Sequence, residues 1–168
     1  LIIPEILFMY PIKLMEYVKE KKVSCVFWVP TVMNSVANCG VLEEIDLPDL
    51  KTVVFAGEVM PNKQLNIWRK NLPHCLYSNL YGPTEITVDC TCYLVDREFD
   101  DLDPLPIGYE RHNMRVIILR EDGTEAAPNE TGELCVIGSQ LALGYWNNPE
   151  ETARAFTANP LNKAFYEE

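Results

Sequence analysis

The sequence predicts an α/β protein in which part of a doubly wound, mainly parallel sheet is followed by a small antiparallel β subdomain. Over residues 1 to about 100, β-prone apolar runs alternate with segments of helical periodicity, and the joints between them are short. This β-α-β order is typical of a parallel sheet with helical crossovers. Near Arg97 the sequence pattern changes to short β-prone runs separated by polar turns. We therefore expect an α/β subdomain over residues 1–103, and a small β-barrel-like subdomain with a final helix over residues 104–168.

Proline and glycine punctuate the predicted elements of the first half. Pro11 suits the first turn of a helix, where its missing N–H needs no partner, and Pro30 begins a second helix that Gly40 ends. The run 23–29 is continuously apolar, which is typical of a strand buried on both faces. In order, we expect a strand end at 1–3, a helix at 11–21, a strand at 23–29, a helix at 30–39, a strand at 50–55, a helix at 61–71 and a strand at 75–80.

The second half contains shorter β-prone runs. One covers residues 86–95, and an acidic, turn-rich stretch follows it at 96–106. Two further strands are predicted at 114–119 and 132–137, the first followed by a hairpin-type turn at 121–124. Asn148 then suits the cap of a last helix, with Pro149 in its first turn.

The overall composition excludes some classes of partner. The hydrophobic content of 48% and charged content of 23% are ordinary for a globular protein. No apolar run approaches the roughly 20 residues of a membrane span, and the first residues lack the basic flank of a signal peptide. The net charge of -11 argues against nucleic acid, because phosphate binding needs clustered Lys and Arg.

The six cysteines do not form a recognisable metal or disulfide pattern. Cys25, Cys75 and Cys135 stand inside apolar runs, where a free cysteine behaves as a small hydrophobe. No Cys-x-x-Cys pair is present, so zinc is not expected. We expect buried thiols and a cytoplasmic location, since that compartment is reducing.

The stretch Asn79-Leu80-Tyr81-Gly82-Pro83-Thr84-Glu85 carries the strongest chemical signal. A β-prone run leads into a Gly-Pro turn, and we expect Gly82 to adopt backbone angles that other residues resist. The turn then presents a hydroxyl and a carboxylate at a strand end, where open α/β sheets place ligand groups. Thr84 could reach a phosphate oxygen and Glu85 could hold Mg²⁺. On these last four residues alone, a tight turn before a solvated glutamate is an equally good interpretation.

The surrounding sequence contains three more stretches that, with this one, resemble the amino-acid adenylation domains of the adenylate-forming superfamily. Ala56-Gly57-Glu58 resembles the family's G/A-G-E segment, and residues 79–85 resemble its N-x-Y-G-P-T-E motif. Residues 105–108 resemble its P-(I/V)-G turn, and residues 132–149 resemble its G-E-L-x-I-x-G…G-Y-x-x-x-P motif. The matching order and spacing cover roughly residues 23 to 156. The similarity is to nonribosomal peptide synthetase domains and to D-alanine–carrier-protein ligases, the latter especially at residues 57–61 and 106–109.

The resemblance implies a function and a set of roles. Such a ligase activates an amino acid with ATP and Mg²⁺, forms aminoacyl-AMP and pyrophosphate, and passes the product to the phosphopantetheine thiol of a carrier protein. Glycine backbone at Gly57 would lie against the adenine, and Asn79 and Tyr81 would bind and stack on it. Thr84 would contact the phosphates and Glu85 would hold Mg²⁺. The residues that the resemblance assigns to catalysis are Thr84 and Glu85, and those assigned to the nucleotide are Gly57, Glu58, Asn79, Tyr81, Gly82 and Thr84.

The resemblance also implies an amino-acid pocket, walled by Phe27, Val54, Ala56, Leu80, Val88 and Asp89. Phe27 and Leu80 would fill volume, which favours a small substrate. A carboxylate such as Asp89 should bind a hydroxyl or a cation there, because a buried charge needs a partner. We therefore expect a small or polar amino acid such as alanine or serine.

Other interpretations remain open at this stage. Asn79 could be a turn-forming side chain, and Tyr81 a core aromatic. An acyl-CoA or aryl-acid ligase of the same superfamily, a non-catalytic nucleotide-binding relative, and an interaction scaffold are the alternative functions. The family's phosphate loop, its amine-binding and ribose-binding aspartates and its catalytic lysine would lie outside this chain. We expect a fragment of the large N-terminal domain that does not catalyse adenylation alone.

Overall fold

A computed structural model describes residues 1–161 of the chain. Within them, short 3-10 helices lie at Glu5–Met9, Val41–Glu43 and Thr84–Ile86. The α-helices are α1 (Pro11–Glu20), α2 (Pro30–Asn38), α3 (Asn62–Asn71) and α4 (Pro149–Ala155). The strands are β1 (Cys25–Trp28), β2 (Thr52–Phe55), β3 (Leu76–Tyr81), β4 (Thr91–Leu94), β5 (Tyr109–Glu110), β6 (Met114–Leu119) and β7 (Glu133–Gly138).

The chain divides into two compact units. The first contains Leu1–Leu80 and Cys92–Gly108, and the second contains Tyr81–Thr91 and the chain from Tyr109 onward. The domain boundary expected at residue 103 stays a prediction, since spatial units and evolutionary domains need not coincide.

The first unit is built on a parallel sheet. β1 pairs with β2 from Cys25↔Thr52 to Trp28↔Phe55, and β2 pairs with β3 from Thr52↔Leu76 to Phe55↔Asn79. β4 lies next to β3. With the small antiparallel sheet described below, this arrangement confirms the predicted fold class.

The core of the first unit lies between α1, α2, α3 and one face of the sheet. Val26, Trp28, Val53 and Phe55 of the strands belong to it. The indole of Trp68 on α3 is fully buried there, and its Nε1 donates to the carbonyl of Met33 at 3.0 Å.

The expectation that β1 is buried on both faces is wrong. Burial alternates along the strand, so that Val26 and Trp28 are buried while Cys25 and Phe27 are exposed. The helices supply apolar partners to only one face, and neither Cys25 nor Phe27 joins a core cluster. For the same reason, the expectation of a buried Cys25 thiol is wrong, whereas Cys75 is buried.

Two other β-prone segments differ from expectation. Residues 1–3 form no strand, and the run 86–95 is a strand only at Thr91–Leu94. Before it, Thr87 and Val88 have φ of 60° and 83°. Left-handed backbone cannot continue a strand, and β-branched residues adopt it only when their surroundings impose it.

Side chains of α3 organise the acidic stretch that follows β4. Asn62 Nδ2 donates to the carbonyl of Asp103 at 2.8 Å, and Asn66 Nδ2 donates to the carbonyl of Phe99 at 3.0 Å. Arg69 reaches the carbonyl of Arg97 at 2.8 Å. Hydrogen bonds from α3 therefore hold the turn-rich segment 97–103 against this helix.

The second unit contains an antiparallel pair, β6 and β7, in register from Met114↔Gly138 to Leu119↔Glu133. A small apolar cluster of Ile86, Cys90 and Met114 packs with Val116 and Val136.

The last helix of the second unit, α4, begins as expected. The side chain of Asn148 accepts the N–H of Glu151 as a cap, and Pro149 stands in the first turn. In residues 1–161, no helix combines the length and apolar character that crossing a membrane requires.

Candidate functional site

The first unit places several of the predicted residues at the carboxyl end of its strands. Ala56, Gly57 and Glu58 follow β2, and Phe55, the last residue of that strand, is in register with Asn79. Since β2 and β3 are parallel, residues 56–58 and Asn79 lie at the same edge of the sheet. This is the edge where α/β folds bind ligands.

Gly57 has a backbone conformation that favours glycine. Its φ is +90°, and an added Cβ would meet nothing nearer than Val29 Cγ1 at 3.7 Å. The requirement is therefore conformational rather than steric. The backbone at Gly57 is therefore not covered by a side chain of its own, and the space beside it is open.

The carboxylate of Glu58 is engaged within the first unit. Its Oε2 accepts hydrogen bonds from the backbone N of Thr31 at 2.9 Å and from Thr31 Oγ1 at 2.6 Å. An N–H in the first turn of α2 has no partner inside the helix, so this contact satisfies it. Glu58 thus ties the start of α2 to the loop after β2.

Asn79 connects two of the sequence motifs. Its side chain is buried, and its Nδ2 donates to the carbonyl of Pro106 at 2.8 Å. The turn at Pro106 is therefore positioned directly by the residue that opens the 79–85 stretch.

Two of the predicted pocket residues are neighbours on the face of the first sheet that lies away from α1, α2 and α3. Phe27 is paired in register with Val54, and Phe27 is 52% exposed. Ala56 is buried beyond the end of β2, and Leu80 follows Asn79 on β3.

In the second unit, Gly82 is required by close packing. A Cβ there would come within 2.5 Å of Asp89 Cα, 2.7 Å of Ile86 Cδ1 and 2.8 Å of Cys90 N. Its φ is not in the left-handed region, so the expectation that Gly82 adopts unusual angles is wrong. The carbonyl of Tyr81 also accepts the N–H of Cys90 at 2.8 Å, which closes the loop 81–90 on itself.

Thr84 and Glu85 lie on a single 3-10 turn. The N–H of Ile86 bonds to the carbonyl of Pro83 at 3.3 Å, and the N–H of Thr87 bonds to that of Thr84 at 3.1 Å. The buried side chain of Ile86 anchors the turn in the apolar cluster, while Thr84 is exposed. The turn therefore presents a hydroxyl and a carboxylate next to each other.

Glu85 has a hydrogen-bond partner that the sequence did not suggest. The phenol of Tyr145 donates to Glu85 Oε1. This bond lowers the pKa of the Glu85 carboxyl and raises the pKa of the Tyr145 phenol, because it favours the carboxylate and the neutral phenol. The G-Y-x-x-x-P motif, which contains Tyr145, was the only signal that could have drawn attention to it.

Asp89 also has a partner from its own unit. It is 4% exposed, and its Oδ1 forms an ion pair with Arg111. The backbone N–H of Arg111 donates to the carbonyl of Cys90 at 2.9 Å, which holds the arginine beside this loop. The expectation that Asp89 needs a hydroxyl or a cation is met by Arg111, which sequence reasoning missed.

The donor set around Glu85 can be compared with what Mg²⁺ requires. Across residues 1–161, no three His, Cys, Asp or Glu side chains are grouped so that they could hold a metal by themselves. Mg²⁺ is usually held by one or two carboxylates together with substrate phosphates. Glu85 beside Thr84 fits an ion shared with a nucleotide, and does not fit a protein-only site.

A depression of about 600 Å³ lies elsewhere on the first unit. Asn66, Arg69 and Lys70 of α3 line it together with Phe99 and its neighbours. None of the residues that the sequence assigns to the nucleotide, the metal or the amino acid lines it, so the strand-end residues of the first unit and the 81–89 loop of the second remain the candidate functional residues of each unit.

Comparisons with known proteins show which family the chain resembles. A D-alanine--D-alanyl carrier protein ligase from Bacillus cytotoxicus is 40% identical over 120 residues, which are 71% of this chain and 24% of the relative. A ligase of the same name from Bacillus cereus is 39% identical over equal shares. The chain thus matches about a quarter of the length of these curated relatives.

Solved structures with the same fold include adenylating proteins. The crystal structure of CmiS6 superposes with a TM-score of 0.86 at 27% identity, covering 95% of this chain and 39% of that one. PA1221, described as an NRPS protein containing adenylation and PCP domains, superposes with a TM-score of 0.75 at 26% identity, covering 88% and 29%. The family described as AMP-binding enzyme matches residues 1–146. The chain therefore belongs to the AMP-binding enzyme family.

Proposed function

We propose that this chain is part of an ATP-dependent ligase that activates an amino acid and transfers it to a carrier protein. The observation that carries the proposal is the 3-10 turn at Thr84–Ile86, which presents a hydroxyl and an anchored carboxylate within a member of the AMP-binding enzyme family. The relatives named D-alanine--D-alanyl carrier protein ligase favour an amino acid over an acyl-CoA or aryl-acid substrate.

The nucleotide-binding roles are proposed separately for the two units. In the first unit, the bare backbone at Gly57 and the amide of Asn79 bind the adenine, and Glu58 holds the loop that carries Gly57. In the second unit, the exposed ring of Tyr81 offers a face on which a nucleotide base can stack, and Gly82 lets the loop close tightly behind it.

The chemistry begins with attack of a substrate carboxylate oxygen on the α-phosphorus of ATP. The bond from that phosphorus to the oxygen bridging the β-phosphorus breaks, and pyrophosphate leaves. A carrier thiol then attacks the aminoacyl carbonyl, gives up its proton and displaces AMP. The hydroxyl of Thr84 would orient a phosphate oxygen, and Glu85 would hold Mg²⁺. Bound Mg²⁺ would supply positive charge that offsets the phosphate charge.

The protein's contribution to such a reaction is mainly positioning and electrostatic stabilisation. For the side chain of the amino-acid substrate, we propose a pocket walled by Phe27, Val54, Ala56, Leu80, Val88 and Asp89. Arg111 neutralises Asp89, so that this position offers polar contact rather than an unpaired charge. We propose a small or polar amino acid such as alanine or serine; its support is the volume that Phe27 and Leu80 would fill, since Arg111 already supplies the partner that Asp89 needs. The free thiols of all six cysteines suit the cytoplasmic location that we also propose.

The test uses the full-length ligase in amino-acid-dependent pyrophosphate exchange, with a panel of amino acids and with loading of a carrier protein. We expect the small or polar members to be activated, and Glu85→Gln to lower exchange by about 100-fold through lost charge stabilisation. Glu43→Gln, an exposed glutamate of another 3-10 helix, is the matched control and should leave exchange unchanged. Exchange that does not depend on Glu85 would contradict the proposal.

A further inference from the structure

The carboxylate of Glu85 belongs to a short turn that has little rigidity of its own. The 3-10 helix at Thr84–Ile86 has three residues, and Thr87 directly after it is left-handed. A metal-binding carboxylate must be held in place, because a loosely held ligand loses affinity for the ion. Contacts within the second unit must therefore restrain Glu85.

Residues 140–145 supply three such contacts. Thr87 Oγ1 donates to the carbonyl of Gln140 at 2.8 Å, and the N–H of Ala142 donates to the carbonyl of Glu85 at 2.7 Å. The phenol of Tyr145 donates to the carboxylate of Glu85. The turn is thus held at its backbone and at its functional side chain by one segment, which we call the 140–145 clamp.

Tyr145 is itself fixed in position. Its backbone N–H donates to Thr152 Oγ1 at 2.9 Å, and that hydroxyl donates to the carbonyl of Asn148 at 2.8 Å. The ring packs edge-on against Phe156, with centroids 5.6 Å apart. Gly144 has φ of +141° and lies against Thr152, where a larger residue would collide. Contacts with Thr152 of α4 and with Phe156 directly after it therefore hold the Tyr145 phenol in position.

We propose that Tyr145 is a positioning residue that orients the Glu85 carboxylate for the metal-bound nucleotide, with the 140–145 clamp as its support. The inference rests on the proposed function, since it requires Glu85 to act on Mg²⁺. Tyr145 belongs to the G-Y-x-x-x-P part of the motif at residues 132–149, and its contacts with Glu85 give this tyrosine a role. Metal-ligating carboxylates are commonly held by such hydrogen bonds.

The test measures nucleotide binding in the full-length ligase, apart from turnover. The dissociation constant of a non-hydrolysable ATP analogue is measured with Mg²⁺ and again with a chelator, and Mn²⁺ binding to the complex is followed by electron paramagnetic resonance. Tyr145→Phe should weaken the metal-dependent binding roughly 10-fold and leave metal-free binding unchanged. Tyr93→Phe is the matched control, because Tyr93 donates to Asp96 at 3.1 Å in another part of the fold.

A double-mutant cycle separates the two proposals. If Tyr145 acts through Glu85, Tyr145→Phe should have no further effect on metal-dependent binding in the Glu85→Gln background. If Glu85→Gln changes that binding and Tyr145→Phe does not, the inference is wrong and the proposed function stands. If Glu85→Gln itself leaves it unchanged, the proposed role of Glu85 fails. Equal weakening of metal-bound and metal-free nucleotide by Tyr145→Phe would indicate a structural role only, and would overturn the inference.

Discussion

At the scale of single residues, two positions shape the loop 81–90: Gly82, which has no side chain, and Asp89, whose charged side chain is buried. Gly82 lets the backbone at Asp89 and Cys90 approach closely, and Asp89 is buried against Arg111. Both features hold the segment on which Thr84 and Glu85 stand. Each can be tested by a substitution that leaves those two residues in place.

Gly82→Ala should destabilise the protein by about 1–3 kcal/mol, because an added Cβ would overlap backbone atoms at 2.5–2.8 Å that cannot move as a side chain end does. Chemical denaturation of the full-length protein measures the change. Gly123→Ala is the control, since Gly123 has φ of +79° and open space around it. Gly123→Ala should also lower the free energy of unfolding, through backbone strain, but should leave nucleotide binding unchanged. Gly82→Ala should lower both the stability and the nucleotide affinity. Equal nucleotide binding in the two variants would contradict the role given to Gly82.

Arg111→Gln should leave Asp89 buried without a cation. We expect a loss of about 1–2 kcal/mol in the free energy of unfolding, a modest value because the arginine is half exposed and its charge is screened. Asp89→Asn in the same background should restore part of the loss. Arg154→Gln removes an exposed arginine paired with Glu151 at 3.2 Å, and should change stability by less than about 0.5 kcal/mol. Equal losses for the two arginines would contradict the special position of Arg111.

At the scale of elements, the connection between β6 and β7 is organised by a two-point ion pair. Arg120 Nε and a terminal guanidinium nitrogen donate to the two oxygens of Glu130 at 2.7 and 2.6 Å. The N–H of Ala127 also donates to Glu130, at 2.9 Å. Asp122 accepts from the backbone N–H and the hydroxyl of Thr124 inside the turn. A turn that the sequence predicts from Asp122-Gly123 is therefore continued by a charge-assisted network.

The Arg120 pair lowers the pKa of the Glu130 carboxyl to about 2. Because the pKa is lower in the folded than in the unfolded protein, the stabilisation is complete above about pH 4.3 and is lost as pH falls towards 2. The stability difference between the protein and Glu130→Gln should therefore shrink over that window, as measured by denaturation at each pH. Nuclear magnetic resonance titration of the Glu130 carboxyl carbon gives the midpoint directly. A midpoint near the ordinary glutamate value would show that the pair is absent in solution.

At the scale of the molecule, each unit has its own apolar centre. The first unit has a large cluster built from its helices and the inner faces of β1 and β2, and the second has the small cluster around Ile86 and Met114. The net charge of -11 continues to argue against a nucleic-acid partner. A nucleotide would need Mg²⁺ and oriented backbone groups instead, which agrees with the donor set at Thr84 and Glu85.

The sequence by itself determined most of the elements and the family. Pro11, Pro30 and Asn148 mark helix starts through local chemistry, and the motif at residues 79–85 is contiguous, so both can be recognised without knowing which segments meet. The parallel order of the first strands followed from the alternation of strands and helices, which the chain connectivity imposes.

Only the tertiary structure decided which faces are covered and which side chains meet. The exposure of Phe27 depends on the helices packing against the other face of its strand, and periodicity cannot show which face that is. Tyr145 meets Glu85 across 60 residues of sequence, and Arg111 meets Asp89 across 22. Such pairs arise from folding rather than from local preference, because nothing in either partner's own neighbourhood specifies the other.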